Sequence, residues 1–218
     1  MAWLVHMLGG KMNVACWLQR SLRLSVVFAL GAMTTGCITV KSYVDPTLPV
    51  IANAQLPKVS QPRPTTVLFE FRTKGNANAR ATSELSGRVV ADVAQSGMFG
   101  QVSSTVTDPN AALLKITIDN VADTGDAVAK GVGTGLTFGL AGSMVRDNYI
   151  CTATYSLNGK SFQTTVNHAL LTTIGNHSAP AGMTAMMPRD AGNQIVDQLV
   201  LHALVQLDQQ AAFRQGAT

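Results

Sequence analysis

The segment YICTATYSLNGKSFQTTVNHAL, residues 149–170, contains two alternating runs joined by Asn158-Gly159. Apolar side chains recur at every second residue, which is the period of a β-strand. Asn and Gly both accept positive φ, as the tight turn between two antiparallel strands requires. The segment therefore predicts a β-hairpin. Its alternating positions are Tyr149, Cys151, Ala153, Tyr155 and Leu157, then Phe162, Thr164, Val166, His168 and Leu170.

Before the hairpin, the pattern predicts a strand, a helix and two further strands. Residues 66–71 alternate as a strand, and residues 76–96 show a four-residue apolar period that ends at Gly97. Such a period indicates an amphipathic helix. A weak strand is expected over residues 99–106, and a clear one at 114–118 follows the turn residues Asp108-Pro109-Asn110.

The last predicted element is a helix, in which Asp190 is a candidate N-cap. Its apolar stripe comprises Ile195, Val196, Leu199, Ala203, Leu204 and Leu207. Two helices with a run of antiparallel strands between them indicate an α+β fold. We expect a two-layer sandwich, with a mixed, mostly antiparallel sheet of about five strands and both helices on one face.

The amino-terminal region has the order of a secretion signal. Arg20 and Arg23 precede the apolar residues 24–33, and the small residues of Thr34-Thr35-Gly36-Cys37 follow. This order resembles a bacterial lipoprotein signal, in which the cysteine after the cut carries a covalent lipid, although Thr34 replaces the usual aliphatic residue. The alternatives are an uncleaved membrane anchor or an ordinary secretory signal. Residues 1–36 are the predicted signal, and a start at Met12 gives it a more usual length.

The lipoprotein resemblance implies a location. Ile38 rather than aspartate after the cysteine is associated with export to the outer membrane, so we expect Cys37 to anchor the chain on its periplasmic face. Residues 37–64 contain five of the eight prolines and predict an extended tether. Residues 65–213 are then the predicted periplasmic domain.

A second resemblance rests on the order of elements around DPNAALLKITI, residues 108–118, between the first helix and a glycine-rich segment. This order is similar to small outer-membrane lipoproteins of unknown function, related to transporter-auxiliary lipoproteins, TolB amino-terminal domains and curli-secretion lipoproteins. The resemblance implies non-catalytic binding or assembly work with envelope protein partners, and it brings no catalytic residues.

The glycine-rich apolar insert, residues 127–145, carries small residues at every fourth position. These are Ala127, Gly131, Gly135, Gly139 and Ser143. On a helix they would form a groove that lets a second helix approach closely. Three interpretations remain open: a loop packed on the domain, a segment that enters the membrane or self-associates, and a phosphate-binding loop that lacks the usual glycine-lysine ending.

Catalytic and cofactor candidates are sparse. No Gly-x-Ser-x-Gly elbow surrounds a serine, the carboxylates look unpaired, and Cys151 and His168 are interpreted as buried strand residues. We therefore predict no enzyme and no cofactor beyond the lipid on Cys37. A weaker hypothesis is a Cu(I) carrier that uses His177, Met183, Met186 and Met187, because thioethers and imidazole suit that ion.

The charge balance argues against nucleic acid as a partner. The chain has 16 basic and 12 acidic residues, but Lys11, Arg20 and Arg23 belong to the signal. The remainder is nearly neutral, and no basic run is interleaved with aromatic residues. The leading hypothesis is a lipid-anchored envelope binding module. The alternatives are a membrane-inserting or oligomerising protein and the copper carrier.

Overall fold

The computed structural model describes residues 39–106, 108–123 and 142–214, and within these ranges the fold is α+β. A mixed sheet of seven strands packs with two α-helices. The strands are β1 Val40–Val44, β2 Thr65–Thr73, β3 Asn76–Ala77, β4 Val102–Ser103, β5 Ala112–Asp123, β6 Ser143–Leu157 and β7 Lys160–Ile174; the helices are α1 Ala79–Gln95 and α2 Pro188–Gln209.

The sheet has the order β1-β7-β6-β5-β2-β3, with β4 also paired to β2. β2 runs parallel to β4 and β5, and every other pairing is antiparallel. The parallel pairs follow from α1, because only a crossover connection can return the chain in the same direction. The mixed, mostly antiparallel sheet is thus confirmed, although the described residues form seven strands instead of about five.

The predicted hairpin of β6 and β7 is confirmed. Leu157 pairs with Lys160, so Asn158 and Gly159 are the two turn residues. Their φ angles of 50° and 76° are both positive, as a type I′ turn requires. The two strands have 15 residues each and form the longest pairing in the sheet, which runs as far as Ser143 and Ile174.

Both helices contribute to one apolar core with the sheet. Val89 and Val93 of α1 are buried, and so are Leu199, Leu204 and Leu207 of α2. They join strand residues whose alternation the sequence predicted, namely Leu114, Ile116, Ile118, Cys151, Ala153, Tyr155 and Val166. Burial of these side chains supplies the main free energy that favours folding.

The helix ends differ from the prediction at two places. Asn76 and Ala77 form the short strand β3, and α1 begins after Asn78, whose side chain accepts a hydrogen bond from Ala81 N at 3.0 Å. α2 begins at Pro188 and not at an Asp190 N-cap, because proline at the first helical position needs no amide partner. Asp190 instead lies in the first turn. Gly97, with φ of 68°, follows α1 as predicted.

The weak strand expected over residues 99–106 is reduced to β4, Val102–Ser103. This segment has little periodic apolar character, and only two of its residues pair with β2, at Thr65 and Thr66. The turn at residues 108–110 is confirmed, since the Asp108 carboxylate accepts a hydrogen bond from Asn110 N at 2.8 Å.

The predicted tether over residues 37–64 is wrong for its described part. Val40–Val44 forms β1, which pairs with five residues of β7, and Leu56 belongs to the main core. The aromatic ring of Tyr43 is almost fully buried, with 2% of the residue exposed. Proline disfavours regular pairing only where it stands, and the first proline of this segment, Pro46, follows β1. The compact unit that contains the domain therefore begins at Ile38.

Candidate functional site

Five of the residues predicted from the sequence lie outside the described residues: Cys37, Ala127, Gly131, Gly135 and Gly139. Ser143 is described, and it corrects part of the prediction. It is the first residue of β6 and pairs with Ile174, so it does not continue a helical row of small residues. The predicted insert over residues 127–145 therefore ends before Ser143. Ser143 lies in a strand and not in a helix, because β7 offers backbone hydrogen-bond partners as far as Ile174.

The residues proposed for Cu(I) lie in different surroundings, and Met183 N donates to Pro180 O at 3.3 Å. Met186 exchanges two backbone hydrogen bonds with Ser42, of 3.1 and 2.8 Å, and its side chain packs against the core. Met187 is 68% exposed just before α2. The His177 ring bonds the neighbouring Ser178 carbonyl at 2.9 Å. Packing explains Met186 without a metal. Within the described ranges, His, Cys, Asp and Glu side chains form no group of three or more able to hold an ion.

Cys151 is a buried strand residue, as the sequence predicted. Its side chain is fully inaccessible on the core face of β6. Burial in apolar surroundings raises the pKa of its thiol to about 12. A thiol that stays protonated and inaccessible does not serve as a nucleophile at neutral pH.

His168 is also a buried core residue, again as predicted. Its Nε2 bonds Gln198 Oε1 of α2, and its Nδ1 has no partner among the described residues. Burial lowers the pKa of the imidazole, although the bond to Gln198 opposes that shift. The ring is therefore neutral at physiological pH. It connects β7 to α2.

The feature that the sequence analysis missed is a cleft between the two helices, with a volume of about 580 Å³. Arg88 of α1 and Asp197 of α2 form an ion pair here, with Nη1 at 2.9 and 3.0 Å from the two carboxylate oxygens. Asp92 lies one turn beyond Arg88 and also lines the cleft. The carboxylates described as unpaired from the sequence are thus brought together.

Asp92 has a strongly raised pKa of about 7. Burial is the largest cause, followed by the negative charge of Asp197 and a hydrogen bond to it; Arg88 opposes the shift. One carboxylate oxygen of Asp92, Oδ2, is buried and has no hydrogen-bond partner among the described residues. Because Arg88 is engaged by Asp197, Asp92 is the member of the pair that takes up a proton. The cleft can therefore exchange a proton near neutral pH.

A second polar site lies beside β1, on the sheet face opposite the helices. Arg146 of β6 donates to Asp45 at 2.9 Å. Arg146 also lines a cavity of about 360 Å³, together with Thr47, Asn148 and Asn167. Burial tends to raise the pKa of Asp45, but hydrogen bonds from Thr47 and Arg146 outweigh it, so the pKa is lowered. This ion pair fixes the end of β1 to the centre of the sheet.

The first strand enters the fold at the end of the sheet where β7 finishes and β6 begins. Val40, Ile174 and Ser143 lie side by side there, and Gly175 N donates to Thr39 O at 2.9 Å. In the ranges that the structure describes, no helix is long and apolar enough to cross a membrane.

Comparison with known proteins gives no family. No family model matches the chain, and no curated protein matches it. Among solved structures, a crystal structure of an uncharacterized protein is similar at 8% identity and a TM-score of 0.35, over 72% of this chain and 97% of that one. A PelC dodecamer from Paraburkholderia phytofirmans is similar at 11% identity and a TM-score of 0.33, over 78% and 97%. At these TM-scores the likeness supports no conclusion about function.

Proposed function

We propose that this chain is a lipid-anchored protein of the cell envelope, held by Cys37 on the periplasmic face of the outer membrane. Its domain would act as a non-catalytic binding or assembly module in an outer-membrane complex or transport system. The observation that carries the proposal is the coincidence of two boundaries. The lipoprotein-like signal, residues 1–36, stops just before Cys37, and the described fold begins two residues later at Thr39, which is hydrogen-bonded to Gly175.

The chemistry of the described domain supports a binding role. Cys151 is buried and packs in the core. His168 is also buried, and its ring is hydrogen-bonded to Gln198. Nucleophilic catalysis needs a thiol within reach of a substrate, and Cys151 is fully inaccessible. The order of elements also supports the proposal, because it is similar to that of small envelope lipoproteins.

The experiment is intact-mass analysis and membrane fractionation of the native protein beside a Cys37→Ala variant. We expect the native chain to lose residues 1–36, to carry acyl chains on Cys37 and to fractionate with outer membranes. The variant should remain uncut or become soluble. A Cys151→Ala variant is the matched control, since it removes the other thiol outside the signal. A mass difference that corresponds only to the Cys→Ala substitution, with the same distribution between fractions, would exclude the lipid anchor.

A second candidate function is membrane insertion or self-association through the glycine-rich segment. The observation in its favour is that β5 ends at Asp123 and β6 begins at Ser143, so both ends of this segment leave the sheet near the point where β1 enters it. A segment attached there starts close to the proposed anchor. The periodic small residues are those that allow close helix contact.

Substitution of Gly135 tests this candidate. A Gly135→Leu variant fills the proposed groove, so detergent-resistant oligomers or protease protection of the native protein should be lost. Gly159→Leu is unsuitable as a control, because the turn at Gly159 needs positive φ. Gly87→Leu is suitable, because Gly87 lies in α1 and a Cβ at this position would meet no heavy atom within 4 Å. Oligomers that persist unchanged in Gly135→Leu would contradict self-association through this segment.

A further inference from the structure

From Thr39 onwards, two residues after Cys37, the chain is bound to the folded domain and does not form a free tether. Thr39 is already held by the fold, because its hydroxyl donates to Gly175 O at 3.2 Å and its carbonyl accepts from Gly175 N at 2.9 Å. Val40 then pairs with Ile174. Only Ile38 separates Cys37 from a residue that is fixed to β7. The domain therefore lacks the freedom of movement that a long flexible linker would give it.

Chain geometry limits how far this point can lie from a lipid on Cys37. Two residues span at most about 7 Å between Cα atoms. The headgroup layer of one leaflet is roughly 5–8 Å thick, from the difference between the total and hydrocarbon thickness of a bilayer. A lipid on Cys37 therefore brings the start of β1 to the headgroup layer and limits which surface of the domain can face it.

The residues at this end of the sheet suit a lipid surface. Val40 and Met144 are both exposed, and Met144 lies beside Thr173, which pairs in turn with the exposed Lys41. Exposed apolar side chains gain free energy when they enter the headgroup and acyl boundary, and a lysine beside them can reach a phosphate with its ammonium group. We call Val40, Lys41 and Met144 the membrane end.

We propose that the membrane end rests on the phospholipid bilayer, with β6 and β7 running away from it so that the Asn158-Gly159 turn is remote from the membrane. This inference rests on the lipid anchor under the proposed function. The 15 residues of β6 span about 50 Å, so the two ends of the hairpin experience very different surroundings. The far part of the sheet then remains free for protein partners.

Tryptophan fluorescence tests this orientation, because both tryptophans of the sequence, Trp3 and Trp17, precede Cys37. Met144→Trp places a single tryptophan at the membrane end of the processed protein. Leu68→Trp is the matched control. Leu68 is 41% exposed against 42% for Met144, and it lies on the same sheet face. It is level with Thr154, about 33 Å along β6 from Met144.

The lipidated variants would be placed in vesicles of phosphatidylethanolamine and phosphatidylglycerol that contain brominated phosphatidylcholine. We expect the bromine to quench the emission of the Met144→Trp variant at least twofold and to leave that of the Leu68→Trp variant nearly unchanged. Circular dichroism would check that both variants are folded, and Val40→Trp is a second variant with the same expectation as Met144→Trp.

Three results would overturn the orientation. Equal quenching of the Met144→Trp and Leu68→Trp variants would mean that the domain has no preferred end towards the lipid. A blue-shifted emission of the Met144→Trp variant that bromine does not quench would mean that a second copy of the chain covers this end. An unmodified Cys37 by mass would remove the anchor itself, and with it the proposed function; lipidation with equal quenching would remove only the orientation.

Discussion

At the scale of single residues, Asp92 is the clearest case of a side chain whose chemistry depends on a distant neighbour. On α1 alone it would be a solvated carboxylate one turn from Arg88. In the fold, Asp197 of α2 takes that arginine in a two-oxygen ion pair. Asp92 is left partly buried beside a negative charge, and its pKa rises to about 7.

The raised pKa of Asp92 lowers the free energy of unfolding as the pH rises. Between pH 3.8 and about 7 the folded protein holds a proton that the unfolded chain has released. Asp92 therefore favours unfolding progressively as the pH rises through this window. We expect Asp92→Asn to raise the free energy of unfolding by about 1–2 kcal/mol at pH 8, after allowance for solvent screening, and to change little at pH 4.

Urea unfolding of both proteins at pH 4, 6 and 8 would measure this effect. The control is Asp190→Asn, because Asp190 is an exposed carboxylate in the first turn of α2. Loss of this charge from the first turn should lower the free energy of unfolding by no more than about 1 kcal/mol, through the helix dipole. This effect is opposite in sign to the one expected for Asp92→Asn. A stability difference between wild type and Asp92→Asn that is independent of pH would show that Asp92 does not titrate in this window.

At the scale of elements, β1 shows that residues 40–44 belong to the sheet of the domain and not to a tether. Its side chains are divided between two environments: Val44 packs against the main core, whereas Tyr43 pairs with Leu171 on the opposite face of the sheet. The Arg146–Asp45 ion pair holds the strand from its carboxyl end. These contacts make β1 part of the folded domain and not a linker to it.

Truncation of Tyr43 tests the contribution of β1 to stability. We expect Tyr43→Ala to lower the free energy of unfolding by about 3 kcal/mol or more, since a large buried ring would leave a cavity. Val50→Ala lies in the same segment but at a residue that is 66% exposed, so it should change stability by at most about 0.5 kcal/mol.

Chemical denaturation of the domain that starts at Ile38 would measure both variants. Equal, small effects would restore the tether interpretation of residues 37–64. A large loss confined to Tyr43→Ala would show that the domain depends on its first strand.

At the scale of the whole molecule, the two proposals depend on one geometric fact. β1 enters the sheet at the end where β7 finishes and β6 begins, and β5 ends and β6 begins near that end, on either side of the glycine-rich segment in the sequence. A lipid on Cys37 would then fix both the location of the domain and its orientation. The Asn158-Gly159 end of the sheet would then point away from the membrane, where partners can reach it.

The sequence by itself determined the elements whose signals are local. The hairpin follows from strict alternation around Asn158-Gly159, α1 from its apolar period and Gly97, and the mixed sheet from the order of these elements. The buried states of Cys151 and His168 were also predictable, since each occupies an apolar position of an alternating strand. Such patterns involve residues within a few positions of one another, and the backbone geometry of helix and strand translates them directly.

Only the tertiary structure decided the rest, because it depends on partners far apart in the chain. β1 is a strand because β7, about 130 residues later, offers it a free edge, and its proline-rich surroundings gave no local sign of that. Ser143 is in a strand because Ile174 pairs with it. The pKa of Asp92 lies near 7 because helix packing buries its carboxylate and brings Asp197 beside it, and spacing within either helix carries no information about the other.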